Sequence, residues 1–188
     1  MKVQDRSGER FVQALEELVE REDRGALATL RRGLGKPPGT VVEIYPYVVP
    51  FLPADPDDRR AWVYFTVAPL FAFHPLNWPS NERRGWTNFG ASVAQVAQRL
   101  GERSAGLEAR FLRLLAAERE ELPLQLYRML TLFKPHQVPV SWVDLLRDLD
   151  QWDHPERFVQ QRWARAFVEQ RERREEGSLS ERSDEASE

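Results

Sequence analysis

Apolar residues recur along this chain at helical spacing almost from its start. Phe11, Val12, Leu15, Leu18 and Val19 fall at i, i+1, i+4, i+7 and i+8, which predicts an amphipathic helix over about 8–22. Asp23 is placed to cap a second helix with Leu27, Leu30 and Leu34 inward and Gly35 ending it. Pro37-Pro38-Gly39 then reads as a turn. From Val41 to Pro53, prolines at 46, 50 and 53 divide an Ile, Tyr, Val and Phe-rich stretch into short helical turns expected to pack down.

Asp57 or Asp58 is expected to start a longer helix containing Trp62, Phe65 and Phe71, which Pro69 kinks or ends. The next residues, 74–86, turn to Pro, Asn, Ser, Arg and Gly and read as a surface loop. Further helices are expected over about 88–100, 104–119, 121–133, 141–151 and 155–173, the last led by Pro155. The class is all-α, with about eight or nine helices in two packed helical bundles. The expected organisation is an N-terminal helical subdomain (1–75), a loop (76–87), a C-terminal bundle (88–173) and a disordered acidic tail (174–188).

Composition narrows the function classes. The absence of cysteine excludes disulfides, thiolate metal ligands and a cysteine nucleophile. The apolar run from Ala61 to Phe73 is broken by Thr66 and Pro69 and is too short to span a bilayer, so a soluble, cytoplasmic protein without membrane association is expected. Eight acidic and four basic residues between Glu169 and Glu188 leave −4 there, so the net charge of −3 conceals a body near +1. All but three of the basic residues, Lys2, Lys36 and Lys134, are arginine. Arginine's planar fork suits phosphate, although GC-rich coding produces the same bias.

Catalytic motifs are missing. His74, His136 and His154 each adjoin a proline in expected turns, and no His-Glu-x-x-His pair, phosphate loop or nucleophile elbow is present. Asp144 and Asp148 share a helix face at i, i+4, a spacing that suits a metal but more commonly marks a solvated face. A non-enzymatic protein without cofactor or metal is expected.

The arginines therefore carry the functional reading. Arg24 and Arg31 share a flank of the second helix, with Arg32 further round and Lys36 at its C-terminal end, where cations also complement the helix dipole. In the 104–119 helix, whose core face is Leu107, Phe111, Leu114 and Leu115, Arg103, Arg110 and Arg113 fall together along one side, beside Gly106 and Ala117, a ridge that a phosphate backbone can approach. The alternative is a solvated face paired with Glu102, Glu108 and Glu120. Arg128 points away from Leu122, Leu126, Met129, Leu130 and Phe133, with Leu124 and Leu132 one turn to either side, so a partner interface is expected at those leucines. Arg147 follows Asp144 at i+3, an ion-pair spacing, and Arg162 and Arg165 read as exposed. Trp62, Trp142 and Trp163 read as core, whereas Trp78 and Trp86 flank the 74–86 loop around Arg83 and Arg84, within reach of a nucleic acid or a neighbouring subunit.

With these residues in order, the chain resembles the CasB family, the small subunit of the type I-E CRISPR Cascade complex. The segments are VSWVDLLRDLDQWDHPERFVQQRWARAF over 140–167, LEARFLRLLAAEREELPLQLYRML over 107–130, and LRRGLGKPPGT followed by YPYVVPFLP near the N-terminus. Together they cover about residues 8–170. The resemblance implies two helical bundles and two head-to-tail copies in the complex. It also implies contact with the CasC backbone and the large CasA subunit, and support for crRNA, target DNA and the displaced strand. By position it implies nucleic-acid contacts at Arg31, Arg32, Arg110, Arg119, Arg128 and Arg147, to which the residue-level reading adds Lys36 and Arg113. The family often carries a double basic element where this chain has Tyr127-Arg128. A helical protein adaptor with no nucleic-acid contact is the competing reading.

Overall fold

The computed structural model describes residues 6–52, 58–78 and 87–185, of which 6, 58, 102 and 173–185 as backbone only. Nine α-helices are present among them: α1 (Arg6–Glu20), α2 (Arg24–Arg31), α3 (Tyr45–Val48), α4 (Asp58–Phe73), α5 (Phe89–Leu100), α6 (Ala105–Ala116), α7 (Leu122–His136), α8 (Trp142–Asp150) and α9 (Phe158–Glu185). The only bridge outside helices among the described residues is a parallel pairing of Asn77 with Val140. The fold is all-α.

Local signals set most boundaries. Asp23 caps α2, its Oδ1 accepting the Ala26 N–H at 2.8 Å, and Asn88 caps α5 through Ala91 at 3.2 Å. α2 ends at Arg31, earlier than Gly35, because three tighter turns follow: Arg32, Gly33 and Leu34 donate to the carbonyls of Thr29, Leu30 and Arg31. Gly33 has no room for a side chain, since a Cβ would stand 2.6 Å from Pro69 Cγ. Pro69 itself lies inside α4, which continues to Phe73. Pro155 lies in the turn before α9 rather than in its first helical turn. The backbone of α9 is helical to Glu185.

α4 is buried on every side along its second half, where residues Thr66 to Ala72 are all buried. This puts it at the centre, packed by α1, α2, α3, α7 and α8. One cluster of buried apolar side chains extends from Phe11 in α1 to Phe167 in α9. α8 belongs to the second half of the chain yet packs on α1 and α4. The most extensive helix pair is α5 with α9.

Trp142, Trp152 and Trp163 are buried, and Trp62 is half-buried against the core. Trp78 is also buried, with its indole N–H donating to Ser92 Oγ at 3.2 Å, so it is not available to stack on a base. Arg83, Arg84 and Trp86 lie outside the described residues. No helix among the described residues is long and apolar enough to cross a membrane.

Candidate nucleic-acid interface

α6 and α7 form an antiparallel hairpin whose turn is built from local chemistry. A capping box joins Glu118 and Glu121 across one turn of 3₁₀ helix, and Pro123 occupies the first turn of α7. Leu107, Phe111 and Leu114 of α6 face the core, as do Leu122, Leu126, Met129, Leu130 and Phe133 of α7. The outer flanks of the two helices then meet. Arg110 stands as far before the turn as Arg128 stands after it, and Arg113 pairs in the same way with Gln125.

The result is an open groove of about 320 Å³ lined by Arg110, Arg113, Gln125, Arg128, Met129, Thr131 and Leu132. All three arginines are exposed. None of them joins an ion pair among the described residues. Glu108, one of the three acids (with Glu102 and Glu120) that the solvated-face alternative paired with these arginines, is instead taken by Arg171 of α9 at 2.7 Å and by Ser104 Oγ at 3.2 Å. Three like charges around one groove produce a positive field that an anion relieves.

The hairpin thus unites Arg110, Arg113, Arg128 and Leu132. Leu124 is 44% exposed on the same helix, and Leu112, which the sequence reading passed over, is 66% exposed on α6. Gln125 and Thr131 were also missed, although 125, 128 and 132 follow the i, i+3, i+7 spacing of a helix flank. Thr131 Oγ1 donates to the Arg128 carbonyl at 2.6 Å. Tyr127, which stands beside Arg128, packs against Phe73 with ring centroids 4.9 Å apart.

The other predicted arginines lie elsewhere. Arg119 Nε donates to Asp153 Oδ2 at 2.5 Å, and its guanidinium lies 5.0 Å from the Trp62 ring centroid. It borders a separate depression of about 490 Å³ shared with His154, Arg157 and Gln160. Arg157 there donates to the Leu115 carbonyl at 2.6 Å. Arg147 is held by Glu9 at 2.8 Å and by Asp144 at 3.4 Å. Arg31 Nε donates to the Leu27 carbonyl of its own helix, and Arg32 approaches Glu43 at 3.7 Å. Lys36 is exposed. These three are carried by α2 and the turns after it, away from the groove lining.

Asp144 and Asp148 do not form a solvated pair. Asp148 is 2% exposed. It accepts the Trp163 indole N–H at 2.5 Å and pairs with Arg162, which is therefore not a free surface cation. Burial, the largest influence, pushes the Asp148 carboxyl up to about 7; Arg162 and the Trp163 bond oppose it, Asp144 adds to it and Arg147 opposes it. No group of three or more His, Cys, Asp or Glu suited to a metal occurs among the described residues. His74 is buried, its Nε2 donating to the Val138 carbonyl at 2.6 Å.

The model of the CRISPR-associated protein Cse2 family matches residues 26–167, which include the whole groove. A CRISPR-associated protein Cse2 from Thermus thermophilus is 33% identical over 162 residues, covering 85% of this chain and 89% of its own. The crystal structure of M. ruber CasB aligns with a TM-score of 0.72 at 30% identity, covering 93% of this chain and 98% of that one. A chain of a CRISPR RNA-guided surveillance complex has the same fold, with a TM-score of 0.78 at 23% identity over 93% of this chain and 98% of that one.

Proposed function

The chain belongs to the CRISPR-associated protein Cse2 family, and from that premise we propose that it is a non-catalytic small subunit of a Cascade-type, crRNA-guided surveillance complex. Its role is to hold nucleic-acid backbone in the α6–α7 groove. The observation that carries this reading is the gathering of Arg110, Arg113 and Arg128, from two helices, around one open groove without ion-pair partners among the described residues.

Guanidinium forks match phosphate oxygens and carry no base information. That suits an assembly in which guide pairing supplies sequence specificity and the protein supplies backbone contacts. Gln125 and Thr131 add neutral polar groups at sugar level. Arg31, Arg32 and Lys36 form a second exposed basic group, whereas Arg119 ties the α6–α7 turn to the turn after α8 and Arg147 ties α8 to α1. CasC-type and CasA-type subunits, a second copy of this chain, crRNA and target DNA are the proposed partners.

The test is a salt titration of single-stranded oligonucleotide binding by wild type and by the Arg110→Glu, Arg113→Glu, Arg128→Glu variant. Three lost phosphate contacts reduce the slope of log affinity against log salt by about 2. Equal slopes in a variant that remains folded overturn the phosphate reading. Leu112 and Leu124, exposed on the same hairpin, favour protein docking as a second reading. Partner binding that ignores salt and is lost on Leu124→Asp supports it.

A further inference from the structure

Apolar side chains line one exposed side of the short helical turns between α2 and α4. Val42, Tyr45, Pro46, Val49 and Pro50 recur at i, i+3, i+4, i+7 and i+8, and every one of them is exposed. Val42 is 66% exposed, Val49 49% and Tyr45 38%. The other side of the same turns is anchored. Ile44 and Val48 are buried, and Tyr47, Phe51 and Leu52 pack against the core.

The stripe is held in place from several directions. A turn of 3₁₀ helix (Val42–Ile44), α3 and a second 3₁₀ turn (Val49–Phe51) follow one another without a break. The Tyr45 hydroxyl donates to the Gly39 carbonyl at 2.7 Å, and its ring lies 5.2 Å from that of Phe65. Phe51 lies 5.5 Å from Phe11 of α1. An apolar face fixed in this way loses little conformational entropy when it is covered.

Charge around the stripe is one-sided. From Arg24 to Leu52, Glu43 is the only acid, against Arg24, Arg31, Arg32 and Lys36. The end of α2 abuts these turns: a Cβ on Gly33 would stand 2.8 Å from Ile44 Cδ1, and Arg32 approaches Glu43 at 3.7 Å. Arg31, Arg32 and Lys36 are all exposed, so positive charge is in excess along one flank of the stripe. An apolar, tyrosine-bearing centre with its charges at the rim is the anatomy of a protein interface.

The chemistry of the occupant follows from these features. The segment is helical and carries Pro46 and Pro50 in the stripe itself, so it offers side chains and no strand edge. Its length of about 12–16 Å matches two to three turns of a second helix. A nucleic-acid backbone would engage the cations and leave the apolar stripe in water. We infer that this face docks an amphipathic helix of another protein subunit, with apolar residues on the stripe and acidic residues against Arg31, Arg32 and Lys36. The inference rests on the reading of the chain as a subunit of an assembly, and not on the α6–α7 groove.

The experiment is photo-crosslinking in the complex purified from the native host through a tag on this chain, with p-benzoylphenylalanine in place of Val49. The expected product is a cross-link to a polypeptide whose sequenced segment has apolar residues at helical spacing and an excess of Asp and Glu. Val42→Asp, at an exposed position, reduces its yield by about tenfold. Arg32→Glu with Lys36→Glu reduces it by about fivefold. Where Val42→Asp also lowers Tm, the charge-reversal variant carries the test.

A cross-link to nucleic acid overturns the inference and makes this face a second phosphate surface. No cross-link overturns it too, as does a segment whose capture ignores both substitutions. The nucleic-acid content of the same complex, with and without Arg110→Glu, Arg113→Glu and Arg128→Glu, reads the groove separately. A chain that purifies alone overturns both readings.

Discussion

Replacing Gly90 by alanine places a methyl group where α5 crosses α9. A Cβ there would stand 2.0 Å from the Trp163 carbonyl oxygen, 2.6 Å from its carbonyl carbon and 2.8 Å from its Cα. These are backbone atoms, so no side chain can swing aside. Restoring an ordinary contact requires the two helices to part by about 1.4 Å in a close-packed interior. That movement pulls at Phe89, whose ring stacks on Phe133 at 5.1 Å and on Trp163 at 5.0 Å. It also strains the Trp163 bond to the buried Asp148.

Overpacking costs about 1–3 kcal/mol, and rigid backbone neighbours place this site at the upper end. The better helix propensity of alanine returns at most about 1 kcal/mol, leaving a net loss of about 2 kcal/mol. At about 2–4 °C per kcal/mol for a chain of this size, Tm falls by roughly 4–8 °C. Gly106→Ala is the internal control, because α6 leaves open space around that position. It is expected to gain about 0.5–1 kcal/mol and to raise Tm by roughly 2 °C. Thermal and urea unfolding followed by circular dichroism measure both. A Gly90→Ala protein as stable as wild type would refute the close approach of α5 and α9.

The remaining predictions concern titration, capping and buried charge. An acid whose folded pKa lies above its unfolded value keeps extra protons in the fold between the two. Asp148 therefore makes stability fall as pH rises from about 4 to about 7. The stability of wild type minus that of Asp148→Asn should decline across this window, by at most about 1.4 kcal/mol per pH unit, and level off above it; a difference that rises across the window contradicts the assignment. His74 acts in the opposite sense: burial chiefly, and Lys134, lower its pKa against the Val138 bond. Acidification below about 6.5 therefore protonates the unfolded chain first and costs stability, and a non-titrating His74→Gln variant should lose that component of the pH dependence in urea melts. Asp23→Ala removes the α2 cap and should cost about 1 kcal/mol in the same assay, with an unchanged midpoint showing the cap to be idle. Arg162→Met removes the half-exposed cation that opposes the rise of the Asp148 pKa, so the window over which stability falls should extend to higher pH, and an unchanged window in urea melts would argue against that pairing.

The all-α class, the order of helices, the cap at Asp23 and the inward leucines of α6 and α7 were legible in the sequence. Each depends on neighbours three or four residues away, and periodicity records such neighbours directly. The outward direction of Arg110, Arg113 and Arg128 was legible for the same reason. Which arginines remain without partners was not, because the answers come from distant parts of the chain. Arg147 finds Glu9 in α1, and Arg119 finds Asp153 beyond α8. Arg171 of α9 withdraws Glu108 from the ridge with which the solvated-face alternative paired it. Asp148 and Trp78 read as surface residues by local pattern and are buried by α9 and α5, which supply Trp163 and Ser92 as partners. The sequence by itself determined the helices and the faces they present, since those follow from local backbone and side-chain geometry. Only the tertiary structure decided which charges are neutralised and which line a groove, since an ion pair needs two side chains within a few ångströms and chain spacing alone does not specify that.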